Sequence, residues 1–139
     1  MQELQTYYLT TILLAYITAV ILKLIIYWIK TKKLNFSYGF TNGGMPSIHT
    51  SSITSITFAI GIAEGLTSTF FVAAVLSSII MSDAVKVRKQ LGDQGDALNT
   101  LLSKNKLKIV HGHTSKQVLA GLLVGLTVAV ITGFIFQLW

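Results

Sequence analysis

The chain has 139 residues, 52% of them hydrophobic and only 12% charged, with a formal net charge of +6. The length suits a single domain over residues 1–139, and the low charged fraction is typical of an integral membrane protein rather than a soluble one. The absence of cysteine excludes disulfides and thiolate metal sites, and the excess of Lys and Arg beside long apolar runs indicates an anionic membrane surface or substrate rather than nucleic acid.

The first predicted membrane helix runs from Tyr7 to about Trp28, enough apolar residues to cross a hydrocarbon core about 30 Å thick. Lys23 interrupts it near one end. A lysine there can extend its amine to the interface, or it can belong to a functional site with Lys30, which follows two helical turns later on nearly the same face. The residues alone leave both interpretations open.

The second segment begins at residues 43–49, Gly-Gly-Met-Pro-Ser-Ile-His, and continues to about Ala63. Adjacent glycines let backbone amides approach a ligand, and Pro46 favours the first turn of a helix. Ser47 and His49 would then lie at a helix N-terminus, which attracts anions. An ordinary loop followed by a capped helix explains the same string equally well. The many Ser and Thr residues that follow allow close packing of membrane helices.

The third predicted span runs from Ser68 to Val87, and Asp83 and Arg88 lie at its end. The two interpretations of Asp83 are a local ion pair and a functional acid near the membrane surface. A short amphipathic helix, Asp96 to Ser103, is predicted next, lying along the membrane surface.

The last predicted span runs from Gln117 to Trp139. Small residues recur at every fourth position of this helix, at Gly121, Gly125 and Ala129. That spacing predicts a face suited to close helix packing. The fold class is therefore an all-α membrane protein with about four spans and one short interfacial helix.

Four spans place the loops after the first and third helices on the same side of the membrane. All eleven basic residues lie in or beside these two loops, so the positive-inside rule predicts that this side is cytoplasmic. The same face collects polar and ionisable side chains at helix ends, which packing alone does not explain. They are Lys30, Ser47, His49, Asp83, Arg88 and His113.

These groups are suited to binding and cleaving an anion. Two histidines at helix N-termini, His49 and His113, offer a nucleophile and a general acid near neutral pH. Fixed cations and donors for the anion are Lys23, Lys30, Arg88, Ser47 and the amides of Gly43 and Gly44. A metal site is the competing interpretation, and the surrounding lysines disfavour it. Its ligands would be Asp83, His49, His111 and His113.

Several strings of this chain resemble motifs of the type 2 phosphatidic acid phosphatase and vanadium haloperoxidase superfamily. Residues 46–49, Pro-Ser-Ile-His, resemble its Pro-Ser-x-His motif, and residues 113–121, His-Thr-Ser-Lys-Gln-Val-Leu-Ala-Gly, are similar to its third motif. A divergent branch of small membrane proteins within that superfamily is closer still. The strings that resemble this branch are Gly-Gly-Met-Pro-Ser, Asp83-Ala84 with Arg88, Leu98-Asn99 and Gly112-His113-Thr114.

The resemblance implies a role for each matching residue. His113 would be the nucleophile that attacks the phosphate, and His49 the general acid that protonates the leaving oxygen. Asp83 and Gln117 would support the site. The phosphate oxygens would be bound by Lys23, Lys30, Gly43, Gly44, Ser47 and Arg88.

The chain departs from the superfamily pattern in three places. Lys30 stands where an arginine is usual and has no proline after it. About two dozen residues separate Arg88 from His113 instead of a handful. Gln117 stands where an acid orients the nucleophile, and a neutral amide stabilises a developing imidazolium less than a carboxylate does.

The leading hypothesis is a membrane phosphatase without metal or other cofactor. It would hydrolyse a lipid phosphate or diphosphate, such as phosphatidate or a polyprenyl diphosphate, at the cytoplasmic interface through a phosphohistidine. The alternative, which Gln117 favours, is a non-catalytic membrane module that binds anionic lipid headgroups or a protein partner. The expected partners are the lipid substrate and membrane lipids, not nucleic acid, and the sequence leaves open whether the chain forms a homodimer.

Overall fold

The computed structural model describes residues 2–41, 43–102, 106–109 and 111–138. Within these ranges the chain forms α-helices and one short 3-10 helix, and no strand. The helices are α1 (Gln2–Thr31), the 3-10 helix (Phe36–Phe40), α2 (Ile48–Glu64), α3 (Ser68–Val85), α4 (Val87–Leu101) and α5 (Ser115–Ile135).

Among the described residues, three stretches are long and apolar enough to cross a membrane: α1, the run Ser68–Leu101 formed by α3 and α4, and α5. A fourth span was predicted over α2. That helix has 17 residues, the lower end of the length that crosses a bilayer, and it contacts α1, α3 and α5. The prediction of an all-α membrane protein is confirmed, and a crossing by α2 stays a prediction.

Helix α2 lies at the centre of the bundle, and its buried side consists mainly of Ser and Thr. Thr54 and Thr57 donate their hydroxyl protons to carbonyls of the preceding turn, so these polar groups are satisfied without water. Hydroxyl pairs also join the helices. Thr57 lies 2.8 Å from Ser77 of α3, and Thr11 of α1 lies 2.8 Å from Thr132 of α5.

The small residues of α5 let its backbone approach α2 closely, as predicted. A Cβ at Gly121 would lie 2.6 Å from the carbonyl oxygen of Ser47, and one at Gly125 would lie 2.7 Å from that of Ser51. Ala129, the next residue of the stripe, is fully buried. The predicted packing face is therefore confirmed.

The third predicted span, residues 68–87, corresponds to α3, which ends two residues earlier, at Val85, before the break at Lys86. One predicted boundary was wrong. The amphipathic helix predicted from Asp96 is only the second half of α4. Helix α4 begins at Val87, directly after the break at Lys86. Ser103 and Trp139, where two predicted elements end, lie outside the described residues.

The start of α2 is set by a hydroxyl cap. The Ser47 hydroxyl accepts a hydrogen bond from the backbone N–H of Thr50 at 3.5 Å, so α2 begins at Ile48. Pro46, predicted to lie in the first helical turn, instead precedes the cap, and its bond to Met45 is cis. The cap leaves His49 in the first turn of α2, as expected from the sequence.

Candidate active site

The segment that carries His113 is anchored on the bend between α3 and α4. The backbone N–H of His113 donates to the carbonyl oxygen of Ala84 at 2.9 Å. Gly112 fits beside the bend only because it has no side chain, since a Cβ would lie 2.5 Å from the Lys89 nitrogen and 2.8 Å from the Ala84 oxygen. These contacts place the start of α4 beside the segment that carries His113.

Helix α4 holds the preceding part of this segment along one side. The Asn99 side chain donates to the carbonyl of Leu107 at 2.9 Å and accepts the N–H of the same residue at 2.7 Å. The His111 ring pairs with the Asp96 carboxylate at 2.8 Å. These contacts bring the chain back to the bend, so Arg88 and the histidine 25 positions later in the sequence reach the same site.

Gln117 sets the tautomer of His113. The backbone N–H of Thr114 donates to Gln117 Oε1 at 2.9 Å, in a capping box that starts α5. Because an N–H only donates, the amide atom facing it is the oxygen. The same oxygen lies 3.2 Å from His113 Nδ1. Nδ1 therefore carries the proton, and the lone pair is on Nε2.

The surroundings of His113 disfavour its charged form. The side chain is 7% exposed, and this burial lowers the pKa of His113 below its usual value, with positive charge on Lys23 and His49 lowering it further. Hydrogen bonds to Gln117 and to the backbone of Gly44 partly oppose the effect. His113 is therefore neutral near pH 7 and has a lone pair to use.

The loop before α2 closes over Lys23, which is 1% exposed. Its ammonium donates to the carbonyl of Thr41 and lies 5.3 Å from the centroid of the Tyr38 ring. Among the residues that the structure describes, no carboxylate pairs with it. Gly43 and Gly44 have φ values of +86° and +78°, and a Cβ at Gly44 would lie 2.7 Å from the Tyr38 hydroxyl. Glycine is required there by both conformation and space.

Two cavities meet at the histidines. The larger has a volume of about 380 Å³ and lies on α2 between α1 and α3, which do not contact each other in the described ranges. The smaller, of about 180 Å³, contains Lys23. One end of the larger cavity is charged and formed by His49, Asp83, Arg88 and His113. The rest is mainly isoleucine, at Ile12, Ile48, Ile53, Ile56 and Ile80.

Asp83 and Arg88 form an ion pair across the bend, in which Arg88 Nε donates to Asp83 Oδ2 at 2.8 Å. The ion-pair interpretation of Asp83 is therefore confirmed, and both residues of the pair also line the larger cavity. A functional role for the Asp83 carboxylate stays a prediction. Within the described part of the chain, the Nη groups of Arg88 have no hydrogen-bond partner. They are donors available to an anion.

Most residues predicted for the site come together at this end of the bundle. Lys23, His49, Asp83, Arg88 and His113 line one or both cavities. Gln117 contacts His113, the backbone of Gly44 raises the pKa of His113, and Gly43 precedes Gly44 in the same loop. The site is therefore assembled from both loops that the predicted topology placed on one face.

Four predicted phosphate-binding residues line neither cavity: Lys30, Gly43, Gly44 and Ser47. Ser47 is fully buried, and its hydroxyl accepts hydrogen bonds from the N–H and the hydroxyl of Thr50. Lys30 is exposed and lies about 10 Å further along α1 than Lys23, toward its C-terminal end. The cavities extend from Lys23 in the opposite direction along α1, to Tyr16.

The alternative metal cluster is not assembled. His111 pairs with Asp96, whereas His113 contacts Gln117. Among the described residues, no group of three or more His, Asp or Glu side chains is placed to hold a metal ion. Of the four residues that the metal interpretation required, His49, Asp83 and His113 line the larger cavity, whereas His111 is paired elsewhere.

Two hydroxyl-bearing residues of the larger cavity were missed from the sequence. Tyr16 lines both cavities and Ser52 lines the larger one. A signal for Tyr16 was present, because it precedes Lys23 by seven residues and so lies on the same face of α1. No comparable signal singled out Ser52 among the many hydroxyls of α2.

The sequence comparisons identify the family. A model described as "Divergent PAP2 family" matches residues 4–128. The chain is also similar to a protein of Bacillus subtilis (strain 168) named "Uncharacterized membrane protein YuiD", with 29% identity over 158 positions that cover 99% of this chain and 100% of the relative. No solved structure matches the chain. The resemblance inferred from the motifs is confirmed, and the chain belongs to the Divergent PAP2 family.

Proposed function

We propose that the protein is a membrane phosphatase that hydrolyses a lipid phosphate through a phosphohistidine. The observation that carries the proposal is the position of His113. Its protonated Nδ1 faces Gln117, and the residue lies at the charged end of an apolar cavity that also contains His49 and Arg88. Family membership supports a phosphatase-like site.

In the first step, Nε2 of His113 attacks the phosphorus atom. A bond between nitrogen and phosphorus forms while the bond from phosphorus to the lipid oxygen breaks. Protonated His49 transfers its proton to that oxygen, so the lipid leaves as an alcohol. His113 starts this step neutral, in keeping with its lowered pKa.

In the second step, water attacks the phosphorus and His49 accepts a proton from it. The bond to His113 breaks, inorganic phosphate is released, and both histidines return to their starting states. Arg88 and Lys23 stabilise negative charge on the phosphoryl oxygens during both steps, which is the larger part of catalysis in phosphoryl transfer. Their positions on either side of the two histidines suit that role.

The apolar part of the larger cavity suits a lipid chain. Its isoleucines lie on α1, α2 and α3, and α1 and α3 do not contact each other in the described ranges. A lipid could then enter from the bilayer with its phosphate at the charged end. The excess of basic residues at this end supports a cytoplasmic location for the site.

The test is phosphate release from phosphatidate by the purified protein in lipid micelles. We expect His113→Ala to abolish turnover. We expect His49→Ala to lose turnover of phosphatidate but to recover part of it with p-nitrophenyl phosphate, whose leaving oxygen needs no proton. Ser78→Ala, at an exposed hydroxyl of α3 that bonds to Val75, is the control for purification and folding.

A parent protein that releases no phosphate from a panel of lipid phosphates would refute the proposal. So would a His113→Ala protein as active as the parent. A chelator should leave the rate unchanged, and a phosphoenzyme trapped during turnover should be labile in acid and stable in base.

A binding module is the second candidate, and Gln117 is the observation that favours it, because the amide gives His113 no negative charge. Such a module would keep its affinity for anionic lipid vesicles after His113→Ala and would never release phosphate. The same pair of proteins therefore separates the two functions.

A further inference from the structure

Two hydroxyl groups lie just below the charged end of the larger cavity. Tyr16 precedes Lys23 by seven residues on α1, which places it about 10 Å further into the span. Ser52 follows His49 by three residues on α2, nearly one turn further in. Both side chains line the larger cavity, and Tyr16 also lines the smaller one.

Neither hydroxyl has a hydrogen-bond partner among the described residues. The contrast within α2 is clear, because Ser51, Thr54 and Thr57 each donate to a carbonyl one turn earlier, at 2.9, 2.7 and 2.9 Å. Ser52 makes no such bond. A hydroxyl in apolar surroundings costs free energy unless it is bonded. Tyr16 and Ser52 are therefore donors available to whatever occupies the cavity.

We propose that Tyr16 and Ser52 bind the ester carbonyls of a diacyl lipid phosphate and so select ester-linked over ether-linked or prenyl lipids. This inference rests on the proposed phosphatase function. In a diacyl lipid phosphate, the charged phosphate is followed by carbonyl acceptors and then by apolar chains. The larger cavity is lined by charged groups, by these two hydroxyls and mainly by isoleucines, which are the three kinds of contact that such a lipid needs.

A lipid without carbonyls would leave both donors unpaired. Sites built to hydrogen-bond a substrate reject an analogue that lacks the partner, because their own polar groups then lose water without replacement. A dialkyl ether phosphate has the same headgroup and chain length as its diacyl counterpart but no carbonyl oxygen. It is therefore the matched probe for this inference.

The experiment measures kcat/KM for dioleoyl phosphatidate and for its dialkyl ether counterpart. Binding of uncleavable phosphonate analogues of the two lipids is measured separately, so that affinity is known without turnover. The variants are Tyr16→Phe and Ser52→Ala. Their controls are Tyr8→Phe, at a hydroxyl of α1 that donates to Glu64, and Ser78→Ala.

We expect the parent to prefer the diacyl lipid in both measurements. Tyr16→Phe and Ser52→Ala should each reduce the preference roughly 2- to 10-fold, the value of one hydrogen bond, by lowering the diacyl values alone. The two control variants should keep the full preference.

The outcomes separate this inference from the proposed function. Phosphate release from both lipids at equal efficiency, or an equal loss on both lipids in the variants, would overturn the inference and leave the phosphatase standing. A binding preference that the variants remove, in a protein that releases no phosphate, would support the hydroxyl assignment and refute the phosphatase.

Discussion

Replacing Gln117 with Glu should make His113 a better nucleophile. Glutamate keeps the capping box with Thr114 and its oxygen keeps the contact with His113 Nδ1, so the tautomer is unchanged. Only the charge is new. At the observed separation of 3.2 Å, a full charge pair is worth about 5 kcal/mol at an effective dielectric constant of about 20.

The gain in rate is smaller than this value. The transition state places only part of a positive charge on the imidazole, and desolvation of the carboxylate cancels part of the attraction. About 1.5–3 kcal/mol remains, which corresponds to roughly a 10- to 100-fold increase in kcat. The carboxylate should also raise the pKa of His113 and move the acid limb of the pH profile of kcat/KM to higher pH.

The assay is phosphate release as a function of pH for the parent, Gln117→Glu and Gln117→Leu. The leucine variant removes the acceptor and frees the other tautomer, so its kcat should fall below that of the parent. If Gln117→Glu has an unchanged kcat and an unmoved acid limb, Gln117 does not act through His113 and the reasoning is refuted.

Three further predictions concern the bend, the buried lysine and the orientation. Gly112→Ala should lower the free energy of unfolding by about 1–3 kcal/mol and reduce turnover, because the added Cβ meets backbone atoms at 2.5 and 2.8 Å. Thermal unfolding of the purified protein measures the loss of stability, and a melting temperature equal to that of the parent would contradict the prediction. Lys23→Met should raise the pKa of His113, since the Lys23 charge helps to lower it. The acid limb of the pH profile should therefore move to higher pH, and the KM for phosphatidate should rise. An unmoved limb would show that Lys23 is too distant or too well screened to affect His113. The chain has no cysteine, so single cysteines introduced at Lys33 and Glu64 report the orientation in the membrane. A membrane-impermeant maleimide added to intact cells should label Glu64→Cys alone. Labelling of Lys33→Cys alone would show that the topology is the reverse of the proposed one.

The helices were largely predictable because short sequence patterns indicate where they run and how they pack. Gly121 and Gly125 mark the face of α5 that contacts α2, and the apolar runs mark the spans. The break at Lys86 was not predictable from its own neighbourhood. It coincides with a hydrogen bond from His113 to Ala84, a contact between residues far apart in the sequence.

The candidate site was predictable in composition and less so in detail. His49, Arg88 and His113 were identified by type and by motif, and the structure places all three at one cavity. Ser47 was expected at the cavity but caps α2, because the same hydroxyl that suits an anion also suits a helix N-terminus. Lys30 lies on the same face of α1 as Lys23 but at a different position along the helix axis. Periodicity predicts the shared face and does not tell which of the two lysines reaches the cavity.

The hydrogen bond from His113 to Ala84 makes the proposed activity depend on whether this part of the chain is folded. In the segment that carries His113, Leu107 is held by the Asn99 side chain of α4 and His113 by this backbone bond at the bend. If the segment detaches, the nucleophile leaves the cavity and the helix loses the contact that accompanies its bend. The fraction of active molecules is then set by an opening equilibrium that amide hydrogen exchange at His113 would report directly. Ligands that occupy the charged end should slow this exchange in proportion to their affinity.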